Sequence, residues 1–267
     1  MEFYEAAFLS RGDGVHDHEY RSLVGALMWP APTTRPDVLF TVGVLARAFT
    51  FSTADLFKCG IRVLIFLGQT KGDGILYSKS AVDAGVLVSW SDSDWSVRRS
   101  TTGMNHMLAG GSIGASSKRQ DCVSTSSTHA EVIAASATSS ETVWFRGVLS
   151  DLGLPQTLPT KIKVDNANVL TLVQNLLSSN KVSHITRREL VVREREVREE
   201  IEVSKVHTAD NLADLLTKVL DRDPFEKLRH TMMQLLRVGV TMSTYLSPKH
   251  RGKAVTRSAD MSSVATE

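Results

Sequence analysis

Four acidic side chains stand where a hydrolytic centre could be assembled. Asp92 follows the β-rich run Val86-Leu87-Val88-Ser89-Trp90-Ser91, and Asp165 follows Lys161-Ile162-Lys163-Val164. Glu131 falls early in a long helical run, and Asp214 lies on the last helical one. Sites in α/β proteins form beyond the carboxyl ends of strands, so Asp92 and Asp165 would meet if their strands are neighbours. Carboxylates crowded into one cleft repel, and a divalent cation is the usual remedy. An all-oxygen ligand set suits magnesium or manganese. Two such ions about 4 Å apart can activate water and stabilise the leaving oxygen of a phosphodiester. A plainer reading is that acids end strands and cap helices without further purpose. Spacing alone leaves both readings open.

The elements that must position these acids follow from periodicity. Residues 1–80 read as mostly helical. Apolar positions recur at helix spacing over 20–28 before Pro30 and Pro32 break the run, and again over 38–49 behind Pro36 and over 56–67. Residues 86–92 read as a strand. Segments 103–108 and 113–117 read as antiparallel strands around Gly110-Gly111. A long helix is expected over 126–153, capped by Ser127 or Thr128 and stopped by Gly153-Leu154-Pro155. A strand at 161–165, a helix at 167–177, a charged helix at 185–200, a strand at 201–206 and a helix at 211–220 complete the pattern. β-rich segments followed by alternating helix and strand predict an α/β domain on a mixed sheet.

Composition bounds the rest. The 267 residues carry 31 Lys+Arg against 29 Asp+Glu, so no global field announces a polyanionic partner. A hydrophobic share of 42% is enough to fill a core. Cys59 and Cys122 are too few for a disulfide framework and too far apart for a zinc motif. No apolar stretch approaches the roughly 20 residues that span a bilayer, and the first residues lack the features of a secretory signal. A soluble intracellular protein, cytoplasmic or nuclear and without a membrane partner, is expected. Residues 247–267, rich in Ser, Thr, Lys and Arg, read as a disordered basic tail.

Between about Tyr20 and Leu228 the wording resembles the C-terminal part of copia-type retrotransposon Pol polyproteins, where the reverse transcriptase ends and the ribonuclease H domain follows. The resemblance rests on Tyr20-Arg21-Ser22-Leu23-Val24-Gly25, Thr34-Arg35-Pro36-Asp37, Ser91-Asp92-Ser93-Asp94-Trp95 and Arg99-Ser100-Thr101-Thr102-Gly103. It continues through Ser116-Ser117-Lys118-Arg119-Gln120, Ser126-Ser127-Thr128-His129-Ala130-Glu131, Asp165-Asn166 and Ala213-Asp214-Leu215-Leu216-Thr217-Lys218. It implies a ribonuclease H-like mixed five-stranded sheet flanked by helices over 84–220. Before it would come a helical remnant of the distal reverse transcriptase over 1–80, and after it a helical extension over 221–246. The implied catalytic and metal-binding quartet falls on Asp92, Glu131, Asp165 and Asp214. They would hold two Mg2+ or Mn2+ ions for endonucleolytic hydrolysis of the RNA strand of an RNA–DNA hybrid. Asp94, the second acid of its word, is expected outside the cluster, either facing outward or supporting the hairpin.

Several positions depart from the pattern. Only Ser96, Val97 and Arg98 separate Asp94-Trp95 from the Arg-Ser-Thr word, which shortens the hairpin beside Asp92. His129, Ala115 and Thr186 replace the residues usual in the family. The shortened hairpin favours an inactive remnant that folds and at most binds nucleic acid, while the complete quartet favours the enzyme. An integrase-like nuclease would need three acids and a His/Cys zinc module that the sequence lacks.

Arg98, Arg99, Lys118 and Arg119 are candidates to reach phosphate backbones, and the alternative is a solvated hairpin edge guarded by charge. Six basic and six acidic residues balance over 183–205, so that helix reads as a salt-bridged surface. His207, seven residues before Asp214, reads as a solvent-exposed strand-end histidine, the alternative being the mobile histidine that helps proton transfer or product release in many ribonucleases H. His184 reads as structural. No Asp-Asp pair follows a Tyr or Phe, so polymerase activity is not expected, and the missing polymerase part becomes a possible partner.

Overall fold

The computed structural model describes residues 17–81, 83–96, 99–175 and 187–235. Buried side chains at positions 20, 24 and 27 give α1 (Asp17–Leu27) its inward stripe. The prolines expected only to break this helix in fact begin a short one, α2 (Pro30–Thr33). Proline has no N–H to waste there, because a first turn leaves its amides unpaired anyway. A 3-10 turn (Pro36–Val38) leads into α3 (Leu39–Ala46) and then α4 (Ala54–Gln69). Thr53 caps α4 by accepting the Leu56 N–H at 3.2 Å. Tyr20, Val24, Leu45 and Leu56 close this first core, and the Tyr20 hydroxyl donates to the Leu45 carbonyl at 2.6 Å.

The expected five-stranded mixed sheet is present. Strands β1 (Val88–Asp94), β2 (Thr101–Leu108) and β3 (Gly111–Arg119) pair antiparallel as a meander. Ala109 and Gly110 turn β2 into β3 with positive φ, 53° and 85°, a conformation that costs glycine least. The long helix α5 (Ser127–Asp151) then crosses to β4 (Thr160–Val164), which lies parallel to β1. Helices α6 (Ala167–Asn175) and α7 (Arg187–Val197) precede β5 (Ile201–Lys205), parallel to β4. The strand order is β3-β2-β1-β4-β5. One apolar layer joins Val132 and Ala135 of α5, Val169 and Val173 of α6 and Val192 of α7 to Ile162, Val164, Ile201 and Val203. A second joins Trp90 and Met107 to Leu212, Leu216, Leu228 and Met232. The sheet is therefore covered on both sides.

Three boundaries move. Asp92 lies inside β1 rather than at its end, because pairing with β2 continues to Asp94 opposite Thr101. The cap of α5 is Ser126, which accepts the His129 N–H at 3.1 Å, and not Ser127 or Thr128. The stretch expected as a helix over 211–220 is a 3-10 turn (Leu212–Leu216), so Asp214 is not on the last helix. That helix is α8 (Arg222–Met233). Leu212 to Leu216 are all buried, and a turn this short can place every side chain against the sheet. Among the described residues no helix is long and apolar enough to cross a membrane. His184, Arg98 and the tail 247–267 lie outside the described residues.

Candidate active site

Register brings the first two acids together. Trp90 of β1 stands opposite Lys163 of β4, so two residues further along each strand Asp92 and Asp165 arrive side by side. Glu131 enters from the second turn of α5. Asp92, Glu131 and Asp165 each offer an oxygen, and these atoms lie within 4.8 Å of one another. Asp214 stands outside that trio, on the 3-10 turn.

A web of hydrogen bonds sets these positions. Gln120, at the end of β3, donates through Nε2 to the Ala130 carbonyl at 2.9 Å, to Thr102 Oγ1 at 3.1 Å and to Ser93 Oγ at 3.3 Å. One buried amide thus links the Glu131 helix to the residue beside Asp92. Asn211 Nδ2 donates to the Ser91 carbonyl at 3.2 Å, and Ser117 Oγ donates to the Leu216 carbonyl at 2.6 Å. These bonds pin the 3-10 turn to β1 and β3. The Thr217 hydroxyl donates to Asp92 Oδ2. Gly103, opposite Asp92, lets the turn approach: a Cβ there would meet Thr217 Cγ2 at 2.6 Å and the Ala213 carbonyl at 2.8 Å.

The crowding has an electrostatic consequence. Burial, then the Asp92 and Asp165 charges, push the Glu131 carboxyl up to about 9. Burial and the Asp92 charge push Asp214 up to about 7. Asp92 is raised chiefly by burial. Glu131 Oε2 and Asp214 Oδ1 are buried without a hydrogen-bond partner. Unpartnered carboxylate oxygens, gathered and dry, are a donor set that fits a hard divalent cation.

Lys218 is the residue that sequence reasoning missed here. Its Nζ lies 2.9 Å from Asp214 Oδ2 and 3.8 Å from Asp92 Oδ2. The signal was present, a lysine four residues after an acid within the Asp214–Lys218 word. Asp94, by contrast, accepts the Thr101 N–H, which braces the hairpin, the second of the two roles open to it. Pairing holds through Asp94–Thr101, so the shortened loop leaves the Asp92 segment of β1 in register.

The basic rim assembles in part. Arg99, Lys118 and Arg119 are exposed, the last two opposite Thr102 and Thr101. Arg47, unforeseen, comes from the end of α3 to donate to Thr101 Oγ1 at 3.3 Å. Burial and the neighbouring Arg119 charge lower its pKa. His207 is exposed, its ring nitrogen accepting the Ala209 N–H at 3.2 Å. A serine–histidine–acid array also exists at Ser89, His106 and Glu141, with Ser89 Oγ 2.8 Å from His106 Nδ1. Ser89 and His106 are wholly buried, which rules out a nucleophile role.

No protein-family model matches the chain. It is 34% identical over 211 residues to the retrovirus-related Pol polyprotein from transposon TNT 1-94 of Nicotiana tabacum, covering 78% of this chain and 16% of that protein. The Pol polyprotein from transposon RE1 of Arabidopsis thaliana is also 34% identical, over 212 residues, covering 78% of this chain and 14% of the relative. Secreted RxLR effector protein 161 of Plasmopara viticola is 36% identical over 129 residues, 47% of this chain and 89% of that one. Among solved structures, a ribonuclease H1 isolated from compost covers 50% of this chain and 93% of its own at 13% identity and a TM-score of 0.40. A foamy viral protease-reverse transcriptase in complex with RNA/DNA hybrid covers 78% of this chain and 27% of its own at 11% identity, with a TM-score of 0.41.

Proposed function

Since the chain belongs to the retrovirus-related Pol polyproteins of transposons and spans about a sixth of their length, we propose that it is their ribonuclease H-type nuclease portion, a metal-dependent endonuclease for the RNA strand of RNA–DNA hybrids. The observation that carries this reading is the convergence of Asp92, Glu131 and Asp165, with Asp214 beside them, on one end of the sheet. The four carboxylates would hold magnesium or manganese, two ions in the reading from sequence, and such ions would supply Lewis acidity toward a phosphodiester.

The chain's own groups do the positioning. Thr217 orients Asp92, and Gln120 fixes the approach of Glu131. Arg99, Lys118 and Arg119, joined by Arg47, would take phosphates of the hybrid, and Arg98 stands next to them in sequence. Helices α1 to α4 serve as a platform corresponding to the distal reverse transcriptase, and a polymerase part is a partner to be supplied from elsewhere in such a polyprotein.

The test is cleavage of a labelled RNA–DNA hybrid by the purified chain, with magnesium and with chelator. Asp165→Asn should abolish magnesium-dependent cleavage, because a neutral amide is a poor ligand for a hard cation. His207→Ala should cost far less. Cleavage that survives Asp165→Asn unchanged would sink the assignment.

A further inference from the structure

The four carboxylates are not equivalent. Asp92, Glu131 and Asp165 form a trio that a single divalent ion can satisfy. The space between Asp92 and Asp214 already holds a cation belonging to the protein, the Lys218 ammonium, at 3.8 Å from one and 2.9 Å from the other. A second divalent ion shared by Asp92 and Asp214 would have to take that space. The ammonium and the ion would repel at contact distance in a poorly solvated site, so both cannot stay. Asp214 Oδ1 remains unpartnered even with Lys218 in place, which marks this position as incompletely satisfied by an ammonium. The Lys218 side chain is 35% exposed, so its flexible stem has a route outward.

On the metal-centre reading above, we infer that Lys218 is a positioning residue that occupies the second cation position of the nucleic-acid-free protein, so that the chain takes up one divalent ion until the ammonium is displaced. The trio loads first. The second position opens only when something draws Lys218 away, and a phosphate group is the chemistry suited to an ammonium.

The experiment counts Mn2+ bound to the full chain at neutral pH by equilibrium dialysis, without nucleic acid. The wild type should bind one ion per chain over the range that saturates it. Lys218→Met and Lys218→Gln, each verified as folded by its melting curve, should bind two. Lys218→Arg keeps the charge and should stay at one. Electron paramagnetic resonance gives a second readout that needs no variant: the wild type should show an isolated ion and no spin-coupled pair. Two ions in the wild type, a coupled pair in its spectrum, or a single ion in the neutral variants would each overturn the inference. Binding of no ion by the wild type would instead overturn the metal-centre reading, and the inference with it.

Discussion

Among the described residues two buried charge clusters stand out, and they are built on opposite principles. At the junction of α8 with the N-terminal helices, Asp37 accepts from Arg35 at 3.0 and 2.8 Å and from Arg229 Nε at 2.8 Å. Arg229 also pairs with Asp73, and Arg35 donates to Thr70 Oγ1 at 2.8 Å. The two guanidiniums lie 5.4 and 5.3 Å from the centre of the Phe66 ring. Burial alone would lower the Arg229 pKa, but its hydrogen bonds to Asp37 and Asp73 outweigh that and raise it. The other cluster gathers carboxylates around one ammonium, and there burial and like charge act together to disfavour ionisation. The first cluster is complete without a ligand, while the second is left waiting for a cation. Buried like charges that raise one another's pKa in this way are characteristic of functional sites.

Breaking the paired cluster should have the largest effect. Asp37→Ala leaves Arg35 and Arg229 buried face to face with their shared partner gone, at a cost of about 3–5 kcal/mol in unfolding free energy. Urea denaturation monitored by circular dichroism would measure it. A loss below about 1 kcal/mol would show that the clamp is not what joins α8 to the N-terminal helices. Gly103→Ala comes next, at about 1–3 kcal/mol, because its Cβ overlaps Thr217 and the Ala213 carbonyl. Pushing the 3-10 turn away should also separate Asp214 from Asp92, so this variant should lose most of its magnesium response. Stability equal to wild type with a full magnesium response would show that the turn can yield.

The contrast was only half legible in the sequence. The acids could be found because each sits one step from a strand or helix that periodicity already outlines. Their neighbourhood followed once β1 and β4 were taken as adjacent. Asp92 inside a strand and Asp214 on a 3-10 turn were misread because local pattern does not say how far hairpin pairing runs or how tightly a short turn winds. Thr34-Arg35-Pro36-Asp37 stood out as a word, but its meaning depends on Arg229, 192 positions away. Arg47 likewise owes its place to Thr101, 54 positions on. Lys218 was visible as a neighbour of Asp214, whereas its approach to Asp92 is a tertiary fact.

The unpaired cluster should answer to charge removal in the opposite sense. Asp92→Asn relieves repulsion while its amide oxygen can still accept from Thr217, so the metal-free protein should gain about 1 kcal/mol, or about 2–4 °C in melting temperature. Wild type with magnesium at a hundredfold excess over Kd should gain about 2.7 kcal/mol, and Asp92→Asn much less. A wild-type melting curve that magnesium leaves unmoved would favour the inert remnant.

The same repulsion should appear as a pH dependence. Glu131 at about 9 and Asp214 at about 7 lie above their ordinary 4.5 and 3.8, so the folded form binds those protons more tightly than the unfolded chain. Their contribution is present in full below the ordinary carboxylate range and is lost as pH rises through 7 and then 9. Metal-free wild type should therefore lose stability from about pH 4 up to about 9, and Asp92→Asn should flatten the slope by removing the charge that adds to burial in raising both groups. Equal slopes in the two proteins would show that burial, and not mutual repulsion, raises them.

Asp94→Asn should have the smallest effect, and its smallness is informative. Asp94 shares a face of β1 with Asp92, two residues away, yet its carboxylate serves the Thr101 N–H and faces Arg47. An amide oxygen can accept the same N–H, so the hairpin should keep its register. Removing the charge gives up only attraction to a partly buried arginine that also donates to Thr101 Oγ1. The expected change in metal-free stability is within about 0.5 kcal/mol, with the magnesium response intact. Melting curves of Asp94→Asn and Asp92→Asn at one ionic strength, with and without magnesium, make the comparison. If Asp94→Asn gains stability without metal and loses the magnesium response, the first ligand lies two residues further along β1 and the boundary between bracing acid and binding acid has been drawn in the wrong place.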